Sequence, residues 1–130
     1  MRFMMLMIPD VFRRPVPADF MPPAEAIAAM GKYNEELQKA GVLLALDGLR
    51  PRQPGCRVSY SGGKSKVLDG PYSETKEVLG GFWFIQARSF DEARAWALRV
   101  PAADGDIVEV RQIFEMADLP YDIGKAAGAA

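Results

Sequence analysis

The chain has 130 residues, of which 49% are hydrophobic and 25% are charged, and this is the size and composition of one globular domain. Sixteen Lys and Arg residues balance seventeen Asp and Glu residues, which excludes the basic excess typical of nucleic-acid-binding domains. No apolar stretch approaches the ~18 residues of a membrane span, and the first residues lack the basic segment of a secretory signal. We therefore expect a cytoplasmic protein with neither nucleic-acid nor membrane partners. One cysteine and no histidine exclude an internal disulfide framework and imidazole catalysis, and predict no metal and no cofactor.

The first third of the chain predicts a strand, a proline-rich loop and an amphipathic helix. Arg2–Ile8 is a short apolar run without polar alternation, which favours a strand buried on both faces. Pro9 ends this run, and four further prolines precede a helix over residues 24–40. Gly41 follows at the position of a helix C′ glycine. One apolar stripe recurs on the helix at three- and four-residue spacing: Ile27, Met30, Tyr33, Leu37 and Ala40.

The middle of the chain predicts a second strand followed by a β-hairpin. Residues 42–49 form the second strand. Residues 56–60 alternate between apolar and polar side chains, as in a half-exposed strand. The two glycines at 62 and 63 provide a tight turn, after which residues 64–68 return as the second strand of the hairpin.

The last third predicts a strand, a helix and a final strand. Residues 81–87 are apolar on both faces, and residues 107–114 form the last strand. Between them, Ser89 and Glu92 have the spacing of a capping box and begin a helix that runs to about residue 100. The buried face of this helix carries Ala93, Trp96, Ala97 and Val100.

The element order is β-α-β, an inserted hairpin, then β-α-β, which predicts a ferredoxin-like α+β sandwich. Two helices can cover only one face of such a sheet, yet adjacent bulky residues such as Met5 and Leu6 project from opposite faces of a strand. An uncovered apolar sheet face is a large exposed patch that a second copy can cover. We therefore expect a homodimer packed sheet to sheet, with the inserted hairpin wrapping the partner.

Residues 69–77 read DGPYSETKE and are followed by Gly80-Gly81-Phe82-Trp83. This segment resembles the signature of the DGPF branch of the YCII-related proteins, roughly DGPFAETKE and then GGF plus an aromatic residue. Tyr72 and Ser73 replace the usual Phe and Ala. The resemblance covers residues 2–115 and implies one domain over residues 1–118 with a dimeric α+β barrel similar to muconolactone isomerase. Residues 119–130 are expected to form a flexible tail.

The resemblance implies less about activity than about fold. YCII-related proteins are suspected enzymes because some carry a His and an Asp in a cleft, and this chain has no His. Some relatives in the DGPF branch resemble accessory proteins of extracytoplasmic-function sigma factors. Whether the chain is an enzyme therefore stays open at this point.

Residues 69–77 contain the best candidates for acid–base chemistry. Asp69 or Glu74 can accept a proton in a dimer cleft, and Lys76 can hold an anionic substrate. The alternative is a structural loop in which Asp69 caps the turn and the other charges are solvated.

Glu109 and Arg111 are two residues apart on a predicted strand, so both side chains point to the face opposite Val108 and Val110. They form either a salt bridge, or a substrate site in which Arg111 binds a carboxylate and Glu109 orients it. Tyr33 and Trp83 are candidates for a ligand platform, with core packing as the alternative.

Two functions from different classes fit these residues. The first is binding or transforming a small molecule in a dimer cleft by cofactor-free carboxylate acid–base chemistry. The second is a non-catalytic regulatory or interaction module that acts with a sigma factor or another protein partner. A dimer without a specific ligand is the third alternative.

Overall fold

The computed structural model describes residues 1–17, 19–51, 54–69 and 78–120. The strands and helices in these residues are β1 (Arg2–Ile8), α1 (Ala24–Lys39), β2 (Leu43–Gly48), β3 (Cys56–Ser61), β4 (Lys64–Asp69), β5 (Gly81–Gln86), α2 (Phe90–Leu98) and β6 (Ile107–Gln112). Short 3₁₀ turns lie at Asp10–Arg13 and Met116–Asp118. No helix in this part of the chain is long and apolar enough to cross a membrane.

Four strands form one antiparallel sheet in the order β2-β5-β1-β6, with β1 in the interior between β5 and β6. The inserted strands β3 and β4 pair only with each other, in a separate two-stranded sheet. Together with the two helices, this arrangement confirms the predicted ferredoxin-like α+β fold. It also places the first strand of the chain beside its last strand.

The alternation of side chains along β1 divides the sheet into two faces. Phe3, Met5 and Met7 are buried on the face covered by the helices, where they pack with Trp83 and Ile85 of β5. The intervening residues Met4 and Leu6 lie on the other face and are only partly buried. The unbroken apolar run in β1 therefore reflects two apolar faces, of which the described residues cover one.

Helix α1 packs on the sheet mainly through its second half. Tyr33 and Leu37 are buried, whereas Ile27 is 47% exposed and Ala40 is also exposed, so the predicted stripe is wrong at both ends. Ile27 borders a cleft rather than the sheet, and Ala40 is the C-cap residue beyond the last packed turn. The helix ends as predicted at Gly41, whose φ of 72° suits a glycine. The backbone N–H of Gly41 donates to Gln38 and that of Val42 to Leu37, as in a Schellman motif.

Helix α2 begins at the predicted cap. The Oγ of Ser89 accepts a hydrogen bond from the backbone N–H of Glu92 at 3.1 Å. The carboxylate of Glu92 accepts from the backbone N–H and the Nε of Arg88, so the second half of the expected capping box goes to the preceding residue. Arg88 also holds the pKa of Glu92 below its usual value, because the hydrogen bond favours the carboxylate.

The β3–β4 hairpin turns at Gly62 and Gly63, which have φ values of 60° and 76°. Two successive positive φ values are typical of a type I′ turn, which agrees with the tight turn predicted from the glycine pair. Every residue of both strands is exposed, so the expected half-exposed strand is wrong. The reason is that the hairpin pairs with neither edge of the four-stranded sheet. Strand β6 also ends two residues early, at Gln112, and leaves Phe114 exposed.

Candidate functional site

The face of the four-stranded sheet opposite the helices, here called the open sheet face, carries apolar and charged side chains together. Its members on β1, β5 and β6 include Met4, Leu6, Phe82, Phe84, Ile107, Glu109 and Arg111. In the register of the sheet, Glu109 lies opposite Leu6 and Arg111 opposite Met4. The period-two pattern therefore placed both charged residues on the correct face.

Glu109 and Arg111 contact each other on this face. An Arg111 guanidinium nitrogen donates to the Glu109 carboxylate at 3.3 Å, and both side chains are exposed. At the edge of the same face, Arg2 lies over the Phe84 ring, 5.3 Å from its centroid, and donates two hydrogen bonds to Glu115. These bonds hold the pKa of Glu115 below its usual value. Arg111 with Glu109, and Arg2 with Glu115, thus form two local ion pairs whose side chains are exposed.

The residues of the predicted acid–base loop are only partly described. Asp69 is the last residue of β4, is exposed, and lies opposite Cys56 in the hairpin. Glu74 and Lys76 lie outside the described residues, as do most of the DGPYSETKE segment and residues 121–130 of the expected tail. Asp69 belongs to the two-stranded sheet, whereas Glu109 and Arg111 belong to the four-stranded sheet.

Tyr33 and Trp83 lie in the core between the sheet and the helices. Tyr33 is 3% exposed and Trp83 is 5% exposed, and their rings meet edge to face at 5.8 Å. The Tyr33 hydroxyl donates to the backbone carbonyl of Trp96 at 2.7 Å, and burial raises the pKa of this phenol. The Trp83 indole N–H donates to Asn34 Oδ1 at 2.8 Å. Both residues are therefore on the helix side of the sheet, away from Glu109 and Arg111.

A cleft of about 1210 Å³ opens between the first half of α1 and the proline-rich loop that precedes it. We call it the proline-loop cleft. Its apolar lining includes Met7, Phe12, Phe20, Met21, Ile27, Met30 and Pro51. Polar groups along the wall include Asp10, Asn34, Arg50 and Asp106.

Close backbone packing holds the wall of this cleft together. The N–H of Gly80 donates to the carbonyl of Met7 at 2.8 Å, and a Cβ at Gly80 would be only 2.4 Å from Cγ of Pro9. The rings of Phe12 and Phe20 meet edge to face at 6.0 Å. The loop is therefore folded back on the sheet by aromatic and proline contacts, which keeps the cleft open beside α1.

Two of the four described carboxylates that line the cleft, Asp10 and Asp106, have partners within the chain. Asp106 accepts from the backbone N–H groups of Asp10 and Ala103, each at 2.8 Å. Asp10 forms ion pairs with Arg13 and Arg14 at 3.5 and 3.6 Å. These two carboxylates position the loop through their hydrogen bonds and ion pairs.

Sequence reasoning missed the proline-loop cleft. The five prolines between residues 9 and 23 indicated only an irregular connection. The available signal was the apolar content of that loop, because Phe12, Phe20 and Met21 are unusual in a connection that is fully solvated. Where these side chains pack depends on contacts with Gly80 and α1, which are distant in the chain.

Comparison with known proteins identifies the family of this chain. The model of the YCII-related domain matches residues 1–117. The chain is also 40% identical over 70 residues to an uncharacterised protein of Rhizobium meliloti (strain 1021), a match that covers 54% of this chain and 53% of that relative. The match thus spans about half the length of that relative, and assignment to the DGPF branch stays a prediction. Because the family model covers nearly the whole length, the chain belongs to the YCII-related family.

Proposed function

We propose that this domain binds a small, largely apolar molecule in the proline-loop cleft and acts as a homodimer. The observation that carries the proposal is the cleft itself. Ligand sites are usually concave, roughly 300–1,000 Å³ in size, and mostly apolar with a few placed polar groups. The cleft, at about 1210 Å³, is large enough to hold such a molecule and combines Met7, Ile27 and Met30 with the amide of Asn34.

The methionines support a ligand of irregular shape. Met7 and Met30 face the cleft, and the flexible thioether side chain adapts to different apolar surfaces. In contrast, Phe12 and Phe20 are fixed against each other, and Gly80 is in close contact with Pro9. The wall formed by Met7 and Met30 can therefore adapt to an apolar ligand, while Phe12 and Phe20 hold the other wall of the cleft in place.

Native mass spectrometry of gently purified protein, followed by calorimetric titration with diphenylmethane, tests this function. We expect a small adduct on the purified protein, or saturable binding of the probe to the adduct-free protein. Ala26→Trp, which places an indole at the cleft, should abolish probe binding. Ala28→Trp makes the same exchange on α1 at a residue outside the cleft lining and should leave binding intact. A protein without adduct and without saturable binding contradicts the proposal.

The homodimer would cover the open sheet face. Met4, Leu6, Phe82 and Phe84 are only partly buried in the single chain, and a second sheet is the natural cover for an apolar sheet face. In this arrangement Glu109 and Arg111 lie at the edge of the contact, and the hairpin carrying Asp69 reaches toward the partner. This contact lies on the other side of the sheet from the proline-loop cleft and would form a second site, in which Asp69 and Glu74 exchange protons with an anionic ligand that Lys76 or Arg111 binds.

Variants of these residues separate binding from chemistry. If a molecule bound in this dimer contact is a substrate, Asp69→Asn and Arg111→Met should slow its conversion and leave binding in the proline-loop cleft unchanged. A conversion rate that is unchanged in both variants contradicts the acid–base role and leaves ligand binding as the function.

One observation favours a second candidate function, that of an interaction module. The β3–β4 hairpin exposes Val58, Tyr60, Val67 and Leu68, and its strands pair only with each other. Unpaired strand edges and exposed apolar side chains are typical of surfaces that bind another chain. The predicted partner is a sigma factor or another regulator. Pull-downs with the wild type and with Tyr60→Ser test this contact. Recovery of the same regulator by both proteins contradicts a contact made by the hairpin.

A further inference from the structure

Among the described residues of the cleft wall, Asn34 is the polar side chain that is hydrogen-bonded to a buried side chain of the core. It lies in the middle of α1, is partly buried, and lines the proline-loop cleft. Its Oδ1 accepts from the Trp83 indole N–H at 2.8 Å. Because an indole nitrogen can only donate, the group that faces it must be the amide oxygen. The Asn34 side chain is therefore oriented with its oxygen toward Trp83 and its nitrogen away from it.

The fixed oxygen leaves the amide nitrogen of Asn34 for another partner. In the part of the chain that the structure describes, the Asn34 side chain makes the Trp83 hydrogen bond and no other. Its two N–H groups are thus unused donors on a wall that also contains Met7 and Met30. An apolar ligand that covers these donors leaves them without an acceptor, which is unfavourable, so a ligand that supplies an acceptor is favoured over one that does not.

Trp83 makes this donor rigid. The indole is buried and packs against Tyr33, whose hydroxyl is itself bonded to Trp96. Asn34 therefore keeps its orientation without a ligand, and a rigid donor loses little side-chain entropy when it binds. By contrast, Asp10 and Asp106 are already bonded within the chain, and Asp19 and Asp104 are exposed.

We infer that the proline-loop cleft selects neutral apolar molecules that carry a carbonyl oxygen, and that the Asn34 amide N–H groups bind this oxygen. The inference rests on the proposed small-molecule-binding function and names the ligand class. Asn34 is a specificity-determining residue in this account, and Trp83 is the residue that positions it.

Two probes with the same carbon skeleton test the inference on the intact protein. Benzophenone carries a carbonyl oxygen, and diphenylmethane has a methylene group in its place. In water the ketone is the less hydrophobic of the two, so a purely apolar cleft would favour diphenylmethane. We expect the wild type to bind benzophenone about tenfold more tightly, the value of roughly one hydrogen bond to a partly buried donor. Equal affinities, or a preference for diphenylmethane, overturn the inference and leave the proposed function standing.

The variant Asn34→Asp sharpens the test. It keeps an oxygen for Trp83 and removes both N–H donors, so benzophenone binding should weaken about tenfold or more while the Trp83 indole proton keeps its hydrogen-bonded chemical shift. Gln38→Glu makes the same chemical exchange at an exposed residue of α1 and should leave both affinities unchanged. Unchanged benzophenone affinity in folded Asn34→Asp contradicts the inference. If that variant does not fold, the ratio of the two wild-type affinities decides, and a wild type that binds neither probe contradicts the proposed function as well.

Discussion

Gly31 and Gly80 both border the proline-loop cleft, but a methyl group has opposite consequences at the two positions. A Cβ at Gly80 would lie 2.4 Å from Cγ and 2.8 Å from Cδ of Pro9, whose ring cannot rotate away. A Cβ at Gly31 meets nothing within 4 Å, and the residue lies inside α1. We expect Gly80→Ala to lower the free energy of unfolding by about 1–3 kcal/mol through overpacking. Gly31→Ala should raise it by about 0.5–1 kcal/mol, because alanine favours the helix.

Urea unfolding of the two glycine variants measures both the expected loss and the expected gain in the free energy of unfolding. Because the chemical change is the same, each variant is the control for the other. Equal stabilities for Gly80→Ala and the wild type would show that Pro9 moves away without cost.

The ion pair between Arg2 and Glu115 predicts a pH-dependent contribution to stability. Arg2 lowers the pKa of Glu115 below its usual value of 4.5, so the pair stabilises the fold at neutral pH. This contribution is lost as the pH falls through the lowered pKa of the folded state. The destabilisation caused by Glu115→Gln should therefore be small at pH ~7, because the pair is exposed, and should vanish at an acid pH below the lowered pKa of the folded state.

Denaturant titrations at the two pH values check this dependence. Glu35→Gln removes one carboxylate of α1 away from Arg2 and controls for the change in net charge. A Glu115→Gln effect that persists unchanged at acid pH would mean that the residue acts by packing.

Sequence reasoning at the residue scale succeeded where a regular period set the answer. Glu109 and Arg111 share the open sheet face because strand side chains alternate, and this needs no knowledge of the neighbouring strands. The role of Asn34 was not predictable, since it depends on an indole 49 residues away in the chain. Local pattern determines a face, whereas a hydrogen-bond partner on another element is set by tertiary packing.

Among the elements, α2 has the clearest single determinant. Ser89 is its N-cap, and its Oγ satisfies a backbone N–H that no helical carbonyl can reach. We expect Ser89→Ala to lower the free energy of unfolding by about 1 kcal/mol. Ser65→Ala on exposed β4 is the matched control and should change it by less than about 0.5 kcal/mol in the same denaturant titration. Comparable effects of the two substitutions would show that the cap is not what begins the helix.

Element boundaries were predictable where glycine, proline or a capping residue marks them. Strand β1 has the predicted bounds because Pro9 cannot continue the pairing, and α1 ends at a glycine with positive φ. Whether an element is buried was less predictable than whether it is a helix or a strand. The hairpin has the expected strands and turn, but its exposure on both faces depends on which strands it does not join.

At the scale of the whole molecule, the apolar open sheet face predicts how the proposed dimer responds to a charged substitution. Leu6→Glu places a carboxylate in the centre of this face and should convert the proposed dimer to a monomer, because burying an unpaired charge in the interface is costly. Leu98→Glu makes the same exchange on α2, where the side chain is 81% exposed, and should leave the dimer intact. Light scattering coupled to size-exclusion chromatography gives the mass of each variant. A monomeric wild type would contradict the homodimer.

Topology at this scale followed from the order of elements. Two β-α-β units in succession admit few arrangements of one sheet, and the ferredoxin-like order is one of them. The proline-loop cleft could not be foreseen in the same way. Its shape arises where a loop, a helix and Gly80 meet, and no local pattern describes such a junction.

The interior position of β1 in the sheet also has a consequence while the chain is being synthesised. Arg2 pairs with Gln86 and Ile8 pairs with Ile107, so β1 is translated before both of its partner strands. At roughly 5–20 residues per second, the ribosome needs on the order of ten seconds to deliver them. Until then β1 lacks at least one of its partner strands and exposes apolar side chains on both faces, so we expect nascent chains of this protein to be prone to aggregation.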